Sequence, residues 1–250
     1  MSGITVITSF SKEGYDRYAR RFMETREKYW SKDIHLVIYS EGQPDIWGSN
    51  FTEIDIDTVK PCTEFLKRHK LNPAAAGRKR LERMRWKTKE VSEGYSYRHD
   101  AMKFCRKPFV IADLIQREWP NDNKKLFWID ADTVTHRPVT PAMFEATMPG
   151  QTDLCYLGRD KKHSECGFMG FDMESPAALG LIVGLARMYE TDKVFLEQEW
   201  HDSFIFDIVR QRLPLTENNI SVPPRQGSVF DHSQVGHYMR HDKGDRKDRR

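Results

Sequence analysis

At 250 residues the chain is long enough for one large α/β domain or two small ones. With 38% apolar and 31% charged residues it has the make-up of a folded, water-exposed protein, and no apolar run approaches the roughly 18 residues needed to span a bilayer. A net charge of +3 is too small to imply a nucleic-acid partner through bulk charge alone.

The N-terminal residues lack a basic-then-apolar leader pattern, so a cytoplasmic protein is expected. ITVITSF (4–10) is a β-branched run ending at Ser11, a suitable helix cap. Tyr15, Tyr18, Ala19, Phe22 and Met23 then recur at three- and four-residue steps, which predicts an amphipathic helix. IHLVIYSEG (34–42) is a second strand, and strand–helix–strand at this spacing favours a parallel sheet covered by helices. A stretch dense in lysine and arginine follows from Lys67 to Lys89 and reads as a basic insertion at about 60–97, with a solvated helix as its plain interpretation. Residues 99–119 predict a helix broken or kinked near Pro108.

KLFWI (125–129) reads as a central strand, apolar on both sides. DLCYLGR and GFMGFDM predict two more strands. Ser175-Pro176 starts a helix with Leu179, Ile182, Val183, Ala186 and Tyr189 inward, and a last helix is expected from about Glu199 to Arg212 with Phe204, Ile208 and Val209 inward. Cys62, Cys105, Cys155 and Cys166 have neither C-x-x-C spacing nor framework density, so reduced thiols are expected. With no repeat and no linker, the fold class is a single α/β domain over 1–243 with a mostly parallel central sheet, followed by a basic tail at 244–250.

The strand at 125–129 runs directly into Asp130 and Asp132. Two carboxylates brought together at a strand end repel unless a cation joins them, and hard oxygen ligands suit Mn²⁺ or Mg²⁺ carrying substrate phosphates. Strand ends are also where open α/β sheets bind ligands. Two chemistries use such a pair: transfer of a sugar from a nucleotide-sugar, and phosphohydrolysis of the haloacid-dehalogenase type, whose D-x-D-x-[TV] motif fits Asp130 to Val134. The second ranks lower because that motif belongs on the first strand of its core and a later acidic pair is missing here. A non-catalytic nucleic-acid-binding protein is a third reading.

ITVITSF, YSEG (39–42), YRHDAMKFCRKPF, DAD, LEQEWHDS and GHYMRHDK occur in an order that resembles the GT-A-fold glycosyltransferases, most of all small retaining family-8-type enzymes. The resemblance implies a GT-A-like (Rossmann-like) domain and a hexosyl- or pentosyltransferase. It implies a nucleotide-sugar donor, a UDP-sugar by preference, held by Thr8, Ser9, Phe10, Tyr39, Arg98, Lys103, Asp130 and Lys243. Asp130, Asp132 and His237 would bind the metal, with His232 and His241 as alternatives because Arg240 breaks the family's C-terminal pattern. Asp202 first and Glu199 second would be the catalytic carboxylates, as general base or by steadying a cationic sugar.

Small transferases of this kind occur in phages that glycosylate hydroxymethylated DNA bases. The basic stretch, through Arg78, Arg80, Arg85, Trp86 and Lys87, has the cationic and aromatic character suited to a DNA acceptor. An anionic glycolipid would satisfy the same charge.

Overall fold

The protein is described by a computed structural model covering residues 3–85, 88–117 and 124–244, with residues 79–93 described through their backbone. Strand β1 (Ile4–Ser11) leads into the short helix α1 (Lys12–Gly14), a π turn over Tyr15–Ala19, and α2 (Arg20–Tyr29). Ser11 caps α1 by accepting the Gly14 N–H at 3.1 Å. Strands β2 (His35–Glu41) and β3 (Phe51–Asp55) follow, then α3 (Lys60–His69). Next come β4 (Ala76–Arg85), β5 (Thr88–Asp100), α4 (Ala101–Phe104) and α5 (Arg106–Gln116). The remaining elements are β6 (Lys125–Ile129), β7 (Thr133–Thr135), α6 (Pro141–Thr147), β8 (Leu154–Leu157) and β9 (Glu165–Asp172). After them come α7 (Pro176–Glu190), α8 (Asp202–Arg210), β10 (Glu217–Asn219) and β11 (Met239–His241).

A seven-stranded sheet in the order β10-β8-β9-β6-β1-β2-β3 forms the centre. Its strands run parallel except β9, which is antiparallel to both β6 and β8. The sheet is covered on both sides, as its nearly unbroken apolar strands require. Alternate residues feed two different cores: Leu126 and Trp128 of β6 pack with α3, α5, α7 and α8, whereas Phe127 and Ile129 pack with α2 and α6. Phe127 lies 4.7 Å from the Phe144 ring and 5.8 Å from Phe168, so truncating it to alanine is expected to cost about 3–5 kcal/mol. All four cysteines are buried and free, and no helix among the described residues is long and apolar enough to cross a membrane.

Several local expectations change. Beyond Lys67–His69, which end α3, the basic stretch is not helical: Arg78 to Arg85 pairs antiparallel with Thr88 to Tyr95 in a separate hairpin. The helix over 99–119 breaks at Cys105, while Pro108 sits in the first turn of α5, where its missing N–H costs nothing. In α7 the inward face is Ala178, Leu181, Ile182, Leu185, Ala186 and Tyr189, leaving Val183 45% exposed. Helix α8 begins at Asp202 and turns Ile205, Phe206 and Val209 inward; Phe204 and Ile208 are half-buried.

Candidate active site

Strand β6 stops at Ile129, and the chain turns at once: the Thr133 N–H donates to the Asp130 carbonyl at 3.0 Å. This turn brings Asp130 and Asp132 together. The third member comes from the other end of the chain. Strand β11 pairs antiparallel with β7, setting His241 opposite Thr133, and the Asp242 N–H donates to the Asp132 carbonyl at 2.9 Å. His241 Nε2 thereby lies 2.8 Å from Asp132 Oδ1 and 3.6 Å from Asp130 Oδ2. Each of the three offers a ligand atom within 4.8 Å of the others.

The opposite edge of the imidazole is fixed as well. His241 Nδ1 is 3.1 Å from Glu165 Oε1, so the ring is oriented with Nε2 towards the aspartates, an arrangement common behind metal-bound histidines. A Cβ on Gly167 would lie 2.7 Å from the ring, so the absence of a side chain there makes room for it. Glu165 also pairs with Arg159 and Lys243. Burial would raise its pKa, but His241, Lys243 and Arg159 together hold it down to about 2. Burial alone would lower the His241 pKa; Asp132, Glu165 and Asp130 outweigh it and lift the value to about 9. The Tyr18 phenol is pushed up to about 12 by burial and then by the negative field of Asp132 and Asp130. Two carboxylates and one oriented imidazole, in a field this negative, fit a divalent cation.

Beside them is a cavity of about 620 Å³ at the C-terminal ends of β1, β2 and β6. Ser9, Phe10, Lys103, Asp130, Asp132 and Asp202 all line it, as do Glu41, Arg106 and Lys107. Lys107 Nζ reaches Asp202 Oδ2 at 2.6 Å, the Cys166 carbonyl at 2.8 Å and Asp130 Oδ1 at 3.0 Å. Burial opposes its charge, yet Asp130 and Asp202 raise its pKa above the ordinary lysine range. Burial likewise works against ionised Asp202, and Lys107 reverses the balance and lowers its pKa. Arg106 forks onto Glu41 through two 2.8 Å bonds, and Trp128 Nε1 donates to Asp130 Oδ1 at 2.7 Å.

Other residues singled out by sequence lie elsewhere. His237 and His232 are exposed; His237 ends a short 3₁₀ turn, so His241 rather than His237 joins the aspartates. Tyr39 is fully buried and donates to Asp113 at 2.7 Å, outside the cavity lining. Thr8 is also buried behind the lining, its hydroxyl unpaired among the described residues. Arg98 and Glu199 pair with each other at 2.9 Å and are not among the cavity-lining residues. Lys243 sits on Glu165. Arg78 is exposed on β4; Trp86 and Lys87, and the side chains of Arg80 and Arg85, lie outside the described residues.

Lys107 and Glu165 were not singled out from the sequence. Lys107 stands four residues after Lys103, and Glu165 is a carboxylate opening a strand that is otherwise apolar as far as Phe171, a costly placement without a partner.

No protein-family model matches the chain, and no curated protein matches it by sequence. In backbone layout it is similar to mouse xyloside xylosyltransferase 1 in its apo form, with TM-score 0.49 and 10% identity over 87% of this chain and 85% of that one. It is also similar to the apo WbbM bifunctional glycosyltransferase, with TM-score 0.48 and 10% identity over 87% of this chain and 38% of that one.

Proposed function

We propose that this chain is a metal-dependent glycosyltransferase that moves a sugar from a nucleotide diphosphate sugar, a UDP-sugar by preference, to an acceptor hydroxyl. The observation that carries the reading is the convergence of Asp130, Asp132 and His241 beside a large cavity at the strand ends. In this reading those three residues hold Mn²⁺ or Mg²⁺, which supplies positive charge for the departing diphosphate. Lys103 and Arg106 add cationic groups on the same wall. Ser9 and Phe10, at the end of β1, form the donor cradle.

Asp202 takes the sugar side. Lys107 holds it ionised, and a carboxylate of lowered pKa takes up a proton poorly. Its fitting role is therefore to steady positive charge on the sugar as the anomeric bond breaks. Lys107 acts as a positioning residue, holding the carboxylates of Asp130 and Asp202 at a fixed separation.

For the acceptor we favour DNA carrying a hydroxymethylated base, with the hairpin of β4 and β5 following the phosphate backbone. Such a base would leave the stack to reach the cavity. Replacing Arg78 and Lys89 by glutamine is expected to weaken use of hydroxymethylated DNA while leaving hydrolysis of the UDP-sugar unchanged. Equal loss of both activities would contradict the assignment of the hairpin.

A further inference from the structure

A second set of metal-ligating side chains lies on the far side of Asp202. His163 comes from the loop between β8 and β9; Glu199 and His201 come from the segment leading into α8. Their ligand atoms also lie within 4.8 Å of one another. Glu199 Oε2 is 2.8 Å from His201 Nε2 and 3.9 Å from His163 Nε2, while its other oxygen, Oε1, is occupied by Arg98. One carboxylate oxygen is thus aimed between two imidazole nitrogens.

The far edges of both rings face carboxylates. His201 Nδ1 is 4.0 Å from Asp202 Oδ1, and His163 Nδ1 is 3.8 Å from Asp207 Oδ2. Asp207 is itself fixed, accepting from Ser164 N at 2.9 Å and from Ser164 Oγ at 2.6 Å. Rings are held from the side as well: His163 lies edge-on to Phe204 at 4.9 Å, and His201 is 5.9 Å from Phe104. Two imidazoles turned inward on a shared glutamate oxygen, each with a carboxylate within 4.0 Å of its far edge, supply the donor atoms and negative field that a transition metal takes.

We propose that His163, Glu199 and His201 form a second metal site that takes a borderline divalent ion of the Zn²⁺ class. The donor set decides the class: two imidazoles and one carboxylate suit Zn²⁺ or Co²⁺, whereas the two aspartates and one histidine of the first site suit harder ions. Three protein ligands leave a fourth position open. Such an ion would pin the β8–β9 loop to the start of α8, next to Asp202 on the cavity wall.

The test is a Co²⁺ titration of the full chain, read by visible absorption, in an Asp132→Ala background that disables the first site. The proposal expects one equivalent of Co²⁺ still to bind, to be displaced by Zn²⁺, and to be lost on adding His163→Ala or His201→Ala. His163 is 40% exposed, so its variant is expected to keep the parent's far-UV circular dichroism and remains informative even if the buried His201 change unfolds the chain. Absence of Co²⁺ uptake in Asp132→Ala, or uptake that survives His163→Ala, would overturn it.

Discussion

His241 and Asp132, 109 residues apart in the chain, meet at 2.8 Å through Nε2 and Oδ1. Their meeting depends on β7 and β11, two three-residue strands that pair only with each other. The outer edge of the same imidazole rests on Glu165 at the start of β9, so three distant segments fix one ring.

Glu165 is therefore expected to act on metal affinity without touching the metal. Glu165→Gln keeps the volume and one acceptor oxygen but removes the charge that orients His241. Affinity for Mn²⁺ should fall about 10- to 100-fold, measured by calorimetric titration, while far-UV circular dichroism is unchanged. Unaltered affinity would remove Glu165 from the site.

Lys107 is the cation on which two carboxylates depend. Lys107→Met fills similar space but leaves Asp202 and Asp130 without that counter-charge, a change expected to cost about 3–5 kcal/mol in urea denaturation. Adding Asp202→Asn to Lys107→Met should recover part of the loss, since one of the stranded charges is then gone. A double variant less stable than Lys107→Met would contradict the pairing.

Acid sensitivity has a local contribution away from the cavity. Burial disfavours ionised Asp192, but hydrogen bonds from Arg68 and His69 outweigh it and lower its pKa. A depressed carboxylate stabilises the fold above the unfolded pKa of about 3.9, and that contribution is lost as pH falls through the lower folded value. Asp192→Asn retains a residue that tolerates the local φ of 59°. Because the group is well exposed, the variant should be less stable at pH 6 by no more than about 1 kcal/mol. The gap should narrow as melts are taken from pH 5 towards pH 2. A gap that stays constant would show that the charge is not its source.

Features set by local periodicity could be read from the sequence. Ile4–Ser11, the helix after it, His35–Glu41 and Lys125–Ile129 each follow from apolar spacing, and Ser175 caps α7 where a serine before proline predicts it. The hairpin at 76–100 is different. Its charge-rich residues show no apolar alternation, so pairing rather than pattern defines it. The choice among three C-terminal histidines was also beyond local reading, since only the pairing of β11 with β7 selects His241. Lys107 was hidden for a related reason: its partners Asp130, Asp202 and the Cys166 carbonyl come from distant segments, and no local pattern brings them to it. Asp202 was legible as an acidic residue near the site, but its pairing with Lys107 arises from packing across 95 residues.

The most direct test of the central claim is thermal melting with UDP, GDP, CMP and UDP-sugars, each with and without Mn²⁺, on the wild-type chain and on Asp132→Ala. Ligand that binds only the native state raises the melting temperature by mass action. A donor site on these carboxylates gives a rise for one nucleotide diphosphate that requires Mn²⁺ and is absent in Asp132→Ala. An equal rise without Mn²⁺, or one that survives Asp132→Ala, would contradict a donor site built on these carboxylates.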